Sequence, residues 1–214
     1  MQSLLKELKK LKKDKIQITI DKRLKEFESV GRSDCIYWFS ELCFCILTAN
    51  SRAQTAIAIQ KEITPYGFQR YNKAKITSII KRNKHRFHNN KAQYIIEARD
   101  YLNIKHIITD IIEHFGKDSE NLAREWLAKN IKGLGFKEAS HFMRNIGYKN
   151  LAIIDRHILD LMCEHGICKR PKTLDKKAYL DIERDFKRIA ENIDMNLAEL
   201  DLYMWYMKTG QVLK

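Results

Sequence analysis

Lys137 lies two residues past Gly135 in the run Ile131-Lys132-Gly133-Leu134-Gly135-Phe136-Lys137, and Asp155 follows eighteen residues later. An amine and a carboxylate that meet in a cleft can do covalent chemistry. A lysine attacks only as the neutral amine, so burial or nearby positive charge has to disfavour its ammonium. Position 137 falls in the first turn of a helix, where the positive end of the helix dipole acts in that sense. A carboxylate such as Asp155 stabilises positive charge that develops beside it. Asp155 also stands where an N-cap would precede a helix. Taken alone, Lys137 reads first as a phosphate contact on a non-catalytic hairpin.

The two glycines suggest what such a hairpin holds. Gly133 and Gly135 can adopt backbone angles and approach distances closed to other residues. The helix beginning at Phe136 then points free N–H groups outward. Together they form a backbone-donor site for one phosphate that reads no base sequence, with Lys132, Arg52, Arg82, Arg86 and Arg144 as further candidate phosphate contacts. A plain helix–helix turn is the alternative. Asp201 and Trp205 lie four apart, hence on one face of the last helix. Leu197 and Leu200 nearby would also fit a core helix, but a carboxylate on a buried face is costly without a partner, which favours a ligand-facing role. His141, one turn after Lys137, faces the same cleft. Asn50 closes an apolar helix, a position at which Asn is a good C-terminal residue.

These residues need helices to carry them. Two prolines and eight glycines in 214 residues argue against an all-β chain and predict an all-α one. Helices are expected at 1–14, where Leu4, Leu5, Leu8 and Leu11 share a face, and at 15–29. Ser33 or Asp34 then caps an apolar helix to Thr48. Further helices are expected at 52–63, 72–82, 90–101, 104–115, 119–130, 136–145, 156–165, 176–191 and 196–208, with a turn at Pro65 and Gly67. Lys and Arg total 40 against 27 Asp and Glu, a net charge of +13, which attracts polyanions and puts nucleic acid first among partners. The five cysteines include no CxxC pair, which excludes a zinc ribbon, and the C-terminal half holds too few thiols for an iron–sulfur cluster. No metal or cofactor is expected. The apolar run from Ile36 to Ala49, broken by Ser40 and Glu41, is too short to span a bilayer. A soluble, cytoplasmic protein without a membrane partner is the expectation.

The segment IKGLGFKEASHFMRNIGYKNLAIIDRHI (131–158) resembles the helix-hairpin-helix DNA glycosylase superfamily, in which members with a lysine at this place are glycosylase/lyases. ELCFCILTAN (41–50), HRF (85–87), LAIIDRHIL (151–159) and ELDLYMWYMKTGQVLK (199–214) narrow the resemblance to the archaeal-type, second family of 8-oxoguanine DNA glycosylases, over essentially the whole chain. The resemblance implies two helical subdomains flanking a DNA-binding cleft. One would hold about 1–49 and 150–214. The other would hold about 50–149, with the hairpin unit at 119–147. It implies that a single unit of 214 residues, working as a monomer, excises 8-oxoguanine from duplex DNA. Lys137 would attack the sugar C1′ and form a Schiff base, and β-elimination would cut the strand on the 3′ side. Asp155 would support charge at the sugar. Trp205 would stack on the flipped base, Asp201 would bond its edge, and His141 and Phe87 would wall the pocket. Asn50 would fill the gap left in the duplex. A carboxylate on Lys214 accepts hydrogen bonds only, so it would attract the N7–H of 8-oxoguanine and repel the N7 of guanine. Three alternatives stay open: a glycosylase for an oxidised pyrimidine, a non-catalytic hairpin DNA binder, and acidic-membrane binding through helix 1–14.

Overall fold

The computed structural model describes the backbone of residues 1–214 and every side chain except that of Lys117. Twelve α-helices and no strand occur among the described residues. In chain order they are α1 (Gln2–Leu11), α2 (Ile16–Arg32), α3 (Cys35–Thr48), α4 (Ala53–Arg70), α5 (Lys73–Arg82), α6 (His88–Glu97), α7 (Ile104–His114), α8 (Ser119–Asn130), α9 (Phe136–Asn145), α10 (Arg156–Glu164), α11 (Lys176–Asn192) and α12 (Leu197–Thr209). Side-chain caps fix several starts. Asn72, Asp155, Asp175 and Asn196 each accept from a backbone N–H three residues on, at 2.8–2.9 Å. Asp34 occupies the N-cap of α3 without such a bond, while Ser33 Oγ donates back to Val30 O at 2.6 Å.

The expected turn at Pro65 and Gly67 is instead a kink within one longer helix. Proline disfavours the helical region for the residue before it. Thr64 accordingly takes φ 65° and ψ 163°, and the chain then resumes its helix as far as Arg70. The expected helix 90–101 divides into α6 and one 3-10 turn, Ala98–Tyr101.

Two apolar clusters organise the helices. The first is built from α3 to α9 and ends at Leu151. The second gathers Leu4 and Leu8 of α1, Ile20 and Phe27 of α2, and the buried faces of α10, α11 and α12. Helix α3 is apolar on all sides, buried without interruption from Trp38 to Thr48, and packs against α4, α7 and α9. Grouped by sequence with the terminal segments, it places its buried side chains in the first cluster.

Between α9 and α10 the chain crosses from one cluster to the other as a buried, non-helical connector, Leu151–Ile154. Its backbone groups find partners on α11. Ala152 N–H donates to Glu183 Oε1 at 2.9 Å, Ile154 N–H to Tyr179 Oη at 3.1 Å, and the Tyr179 hydroxyl donates to Ala152 O at 2.7 Å. Glu183 is itself held by a bidentate Arg124 from α8, at 2.7 and 2.9 Å, with both residues almost wholly buried. Removing one member of a buried ion pair leaves an uncompensated charge, at a cost of about 3–5 kcal/mol. Arg124→Met is therefore expected to lower the urea midpoint by that amount of stability at unchanged slope, in equilibrium unfolding followed by circular dichroism.

Candidate active site and nucleic-acid interface

The hairpin between α8 and α9 turns on Gly133 at φ 90°. A Cβ there would come within 2.6 Å of the Tyr94 ring, so both backbone angle and space require glycine. Gly135 is the N-cap of α9, and Glu138 reaches back to it. Glu138 Oε2 accepts from Gly135 N–H at 3.2 Å, while its Oε1 lies 3.1 Å from Lys137 Nζ. One carboxylate thus satisfies an orphan donor of the helix start and balances the lysine. Lys132 extends from the loop, 62% exposed, 3.4 Å from Glu97 and above the Tyr94 ring. Lys91 of α6 is buried, and that burial pulls its ammonium down to about 8, with Glu138 opposing and Lys137 assisting.

Lys137 and Asp155 both line an open cleft of about 910 Å³, together with Asn50, Arg52, Arg86 and Arg170. The same two residues also line a smaller cavity of about 80 Å³ with His141, Asp201, Trp205 and Lys214. Lys137, Asp155 and Trp205 thus stand on walls common to the cleft and the inner cavity. The Asp155 cap to Ile158 N–H, at 2.8 Å, uses one carboxylate oxygen.

Phe87 lines neither space. It is half-buried beneath the Arg86 guanidinium, 4.5 Å from its ring, and its N–H donates to His85 Nδ1 at 3.2 Å. His85 in turn meets Leu47 O at 2.9 Å, which ties this segment to the end of α3. Gly133, Gly135 and Lys132 also lie outside both spaces, on the hairpin.

The partner that Asp201 needs is Arg144, which forms a buried ion pair with it. Burial pushes Asp201 up to about 6, against the pull of Arg144, with Asp155 adding to the rise. Arg144, expected as a phosphate contact at the surface, is instead buried in this pair and also donates to Asn145 Oδ1 at 3.1 Å. One partner, Asp201, sits on the facing helix α12 and the other, Asn145, is the next residue of α9, so its guanidinium is satisfied inside. Two polar atoms at the inner cavity lack any partner: the Trp205 indole Nε1 and His141 Nε2. Buried polar atoms nearly always have one, which leaves the indole N–H free for a ligand, while the His141 ring meets the Lys214 main chain. His157 packs edge-on against Trp205 with centroids 4.9 Å apart.

Sequence reasoning did not single out Glu138, Lys91, His157, Asn145 or Glu41 for the site. Only Glu41 left a trace in the pattern, as a charge breaking the most apolar helix of the chain.

Burial, aided by Arg144, Lys137 and Lys214, holds His141 well below its ordinary value of 6.5, so its imidazole is neutral. Below 6.5 the unfolded chain binds a proton there that the native state refuses. Stability from His141 is therefore lost as pH falls through 6.5, by about 1.4 kcal/mol per pH unit. Asp201, raised to about 6 from 3.8, works in the opposite direction over that interval. The difference between wild type and His141→Asn isolates the histidine. Urea unfolding at a series of pH values from neutral downward should show wild type losing stability relative to the variant.

A family model described as 8-oxoguanine DNA glycosylase matches residues 20–195. The chain is 48% identical over 212 residues to the 8-oxoguanine DNA glycosylase/AP lyase of Methanocaldococcus jannaschii, covering 99% of both chains. It is 42% identical to the protein of that name from Korarchaeum cryptofilum, covering 99% of this chain and 98% of the relative. The crystal structure of the M. jannaschii glycosylase/lyase in complex with a 15mer DNA containing 8-oxoguanine superposes with a TM-score of 0.92 at 47% identity, over 99% of this chain and all of that one. An endonuclease III–DNA complex, at 16% identity and a TM-score of 0.55 over 90% of this chain and 83% of that one, shares the fold. Twelve helices in this arrangement, a lysine in the first turn after a glycine hairpin, and identity over almost the full length lead to one assignment: the chain belongs to the 8-oxoguanine DNA glycosylase family.

Proposed function

We propose that this protein, acting as a monomer, excises 8-oxoguanine from duplex DNA and cleaves the strand at the resulting abasic site, with Lys137 as nucleophile. The observation that carries the reading is the position of Lys137 and Asp155 on walls shared by the open cleft and the inner cavity. A base inside a duplex is out of reach, so the nucleotide has to leave the stack. The backbone then lies in the cleft, the base enters the inner cavity, and the sugar between them comes to Lys137 and Asp155.

Each residue then has a task. Lys137, on giving up a proton, donates its electron pair to C1′, and the glycosidic bond breaks with its electrons leaving on the base, which takes up a proton in turn. Positive charge develops on the sugar as that bond breaks, and the Asp155 carboxylate opposes it. Ring opening gives an imine between Nζ and C1′. Loss of a C2′ proton then expels the 3′ phosphate, which is the strand cut. Trp205 offers a face for stacking and its unpartnered indole N–H as a donor. Neutral His141 offers Nε2. Asp201 holds Arg144 and faces the cavity. Asn50, exposed at φ 60° at the cleft edge, is placed to enter the gap in the duplex. Gly133, Gly135, Lys132 and Arg52 hold phosphate.

Borohydride reduction traps the imine. A covalent adduct is expected on duplexes carrying 8-oxoguanine, none on normal guanine, and Lys137→Gln should abolish it while lesion DNA is still bound. An adduct on an oxidised pyrimidine instead would keep the mechanism and reject the purine pocket. Binding without any adduct would reject the enzyme reading.

Asp155 has two roles that one substitution separates. Asn caps a helix as well as Asp does, so Asp155→Asn should leave thermal stability nearly unchanged. It removes the charge opposing the oxocarbenium-like sugar, so single-turnover base release should fall by about 10²–10³.

The net charge of +13 predicts an affinity for undamaged duplex that drops linearly on a log–log plot against salt, by about 0.9 per phosphate neutralised. Lys132→Ala should shallow that slope by about one contact's worth for every sequence tested, as measured by fluorescence anisotropy.

A further inference from the structure

We propose that Glu41, which does not line the inner cavity, is the positioning residue that fixes Lys214 there and so sets the discrimination between 8-oxoguanine and guanine. The proposal rests on the base-excision reading above.

Glu41 is a carboxylate in the most apolar helix of the chain, 7% exposed. Its two oxygens collect three donors from three parts of the fold. Oε1 accepts from Lys214 Nζ at 2.6 Å and from Gln60 Nε2 at 3.0 Å, and Oε2 accepts from Asn145 Nδ2 at 3.0 Å. Such a set satisfies a buried anion only if a cation is among the donors, and Lys214 is that cation. The Lys214 ammonium also sits over the Phe44 ring, 4.5 Å from its centroid.

Residues beyond the last helix fray by default. Lys214, four residues past Gly210, is held at the tip of its side chain by the ion pair and by the ring. With its side chain so anchored, Lys214 lines the inner cavity beside His141, Asp201 and Trp205, and its main chain meets the His141 ring. Main-chain oxygens only accept hydrogen bonds. Guanine presents an acceptor at N7 and is repelled there, whereas 8-oxoguanine presents N7–H and is bound. Discrimination of this kind depends on distance, since a hydrogen bond weakens steeply away from its preferred geometry. Glu41 continues through Asn145 to Arg144 and Asp201, so one polar chain fixes both Lys214 and the Asp201 carboxylate that lines the same cavity.

The strand cut at an abasic site needs Lys137 but no base, and it supplies an internal control. Glu41→Gln, Lys214→Met and the double variant are compared in single-turnover base release from 8-oxoguanine duplex and in cleavage of a preformed abasic site. Glu41→Gln is expected to slow release by about tenfold or more, the effect of one lost hydrogen bond, and to lower the 8-oxoguanine over guanine ratio equally. Abasic cleavage by Glu41→Gln should stay within about twofold, and base release by the double variant should be no slower than by the slower single, because both changes remove one interaction. Equal losses on the two substrates, additive losses in the double variant, or wild-type release by Glu41→Gln would each overturn the proposal. If Glu41→Gln does not fold, Lys214→Met must show the same split between substrates, and equal losses there overturn it as well. A wild-type protein that cleaves abasic DNA yet leaves 8-oxoguanine in place would reject the lesion reading, and this proposal with it.

Discussion

The connector between α9 and α10 is buried and has neither helix nor sheet to satisfy it, and the site depends on how that problem is solved. A buried backbone group without a partner is destabilising by an amount comparable to a lost hydrogen bond, so each must be met. Tyr179 and Glu183 of α11 meet three of them, the N–H groups of Ala152 and Ile154 and the carbonyl of Ala152, and Arg124 of α8 neutralises Glu183. These contacts hold the start of α10 in register with α8 and α9. Helix α9 carries the chain about 15 Å from the hairpin, at 1.5 Å per residue over ten residues. The nine residues 146–154 have ample reach to return over that distance. The spacing of eighteen between Lys137 and Asp155 is therefore the length of one helix out and one connector back. It brings two helix N-termini to the same cleft, one with an amine in its first turn and the other capped by a carboxylate. Both present their positive ends where a phosphate backbone would lie.

Most helices were legible in the sequence because each has an apolar stripe of regular spacing and a polar residue at its start. Asp155 was legible as a cap because that chemistry needs no tertiary information, and Asn72, Asp175 and Asn196 cap their helices in the same way. The glycine hairpin was legible for the same reason, since Gly133 requires an angle that a side chain would resist. Pro65 misled because a proline announces only that the preceding residue leaves the helix. It does not say whether the chain turns or resumes, and that was decided by packing, with Ile63, Gly67 and Phe68 all buried against the first cluster.

The site was legible where residues share an element and obscure where they meet across the fold. Asp201 and Trp205, four apart on α12, do line one cavity. That Asp201 is neutralised by Arg144, fifty-seven positions earlier, could not be read from spacing, because nothing local links α9 to α12. The same separation hid the partners of Glu41, which lie on α4, on α9 and beyond α12. Its intrusion into an apolar helix was nevertheless visible. A buried charge must have a partner somewhere, so such an intrusion is a pointer to a long-range contact even when the contact itself cannot be named.

Affinity and selectivity are divided between different parts of the molecule. The excess of positive charge is spread over exposed side chains, acts through phosphates and is blind to sequence and damage alike. Selectivity cannot come from it, because undamaged DNA carries the same phosphates. It has to arise where water is excluded and polar atoms are few, since only there does one missing hydrogen bond count in full. The inner cavity, about 80 Å³, offers few uncommitted polar atoms: it is lined by Trp205 with an unpartnered indole N–H, a neutral His141 and an Asp201 already committed to Arg144. Besides Ser51, the lining that belongs to no helix comes from the connector, at Ile153 and Asp155, and from the tail, at Leu213 and Lys214. The first is rigid because α11 holds it. The second is anchored at its tip by the ion pair to Glu41 and by the Phe44 ring, so the part of the wall with the least backbone support depends on the one carboxylate of the apolar helix.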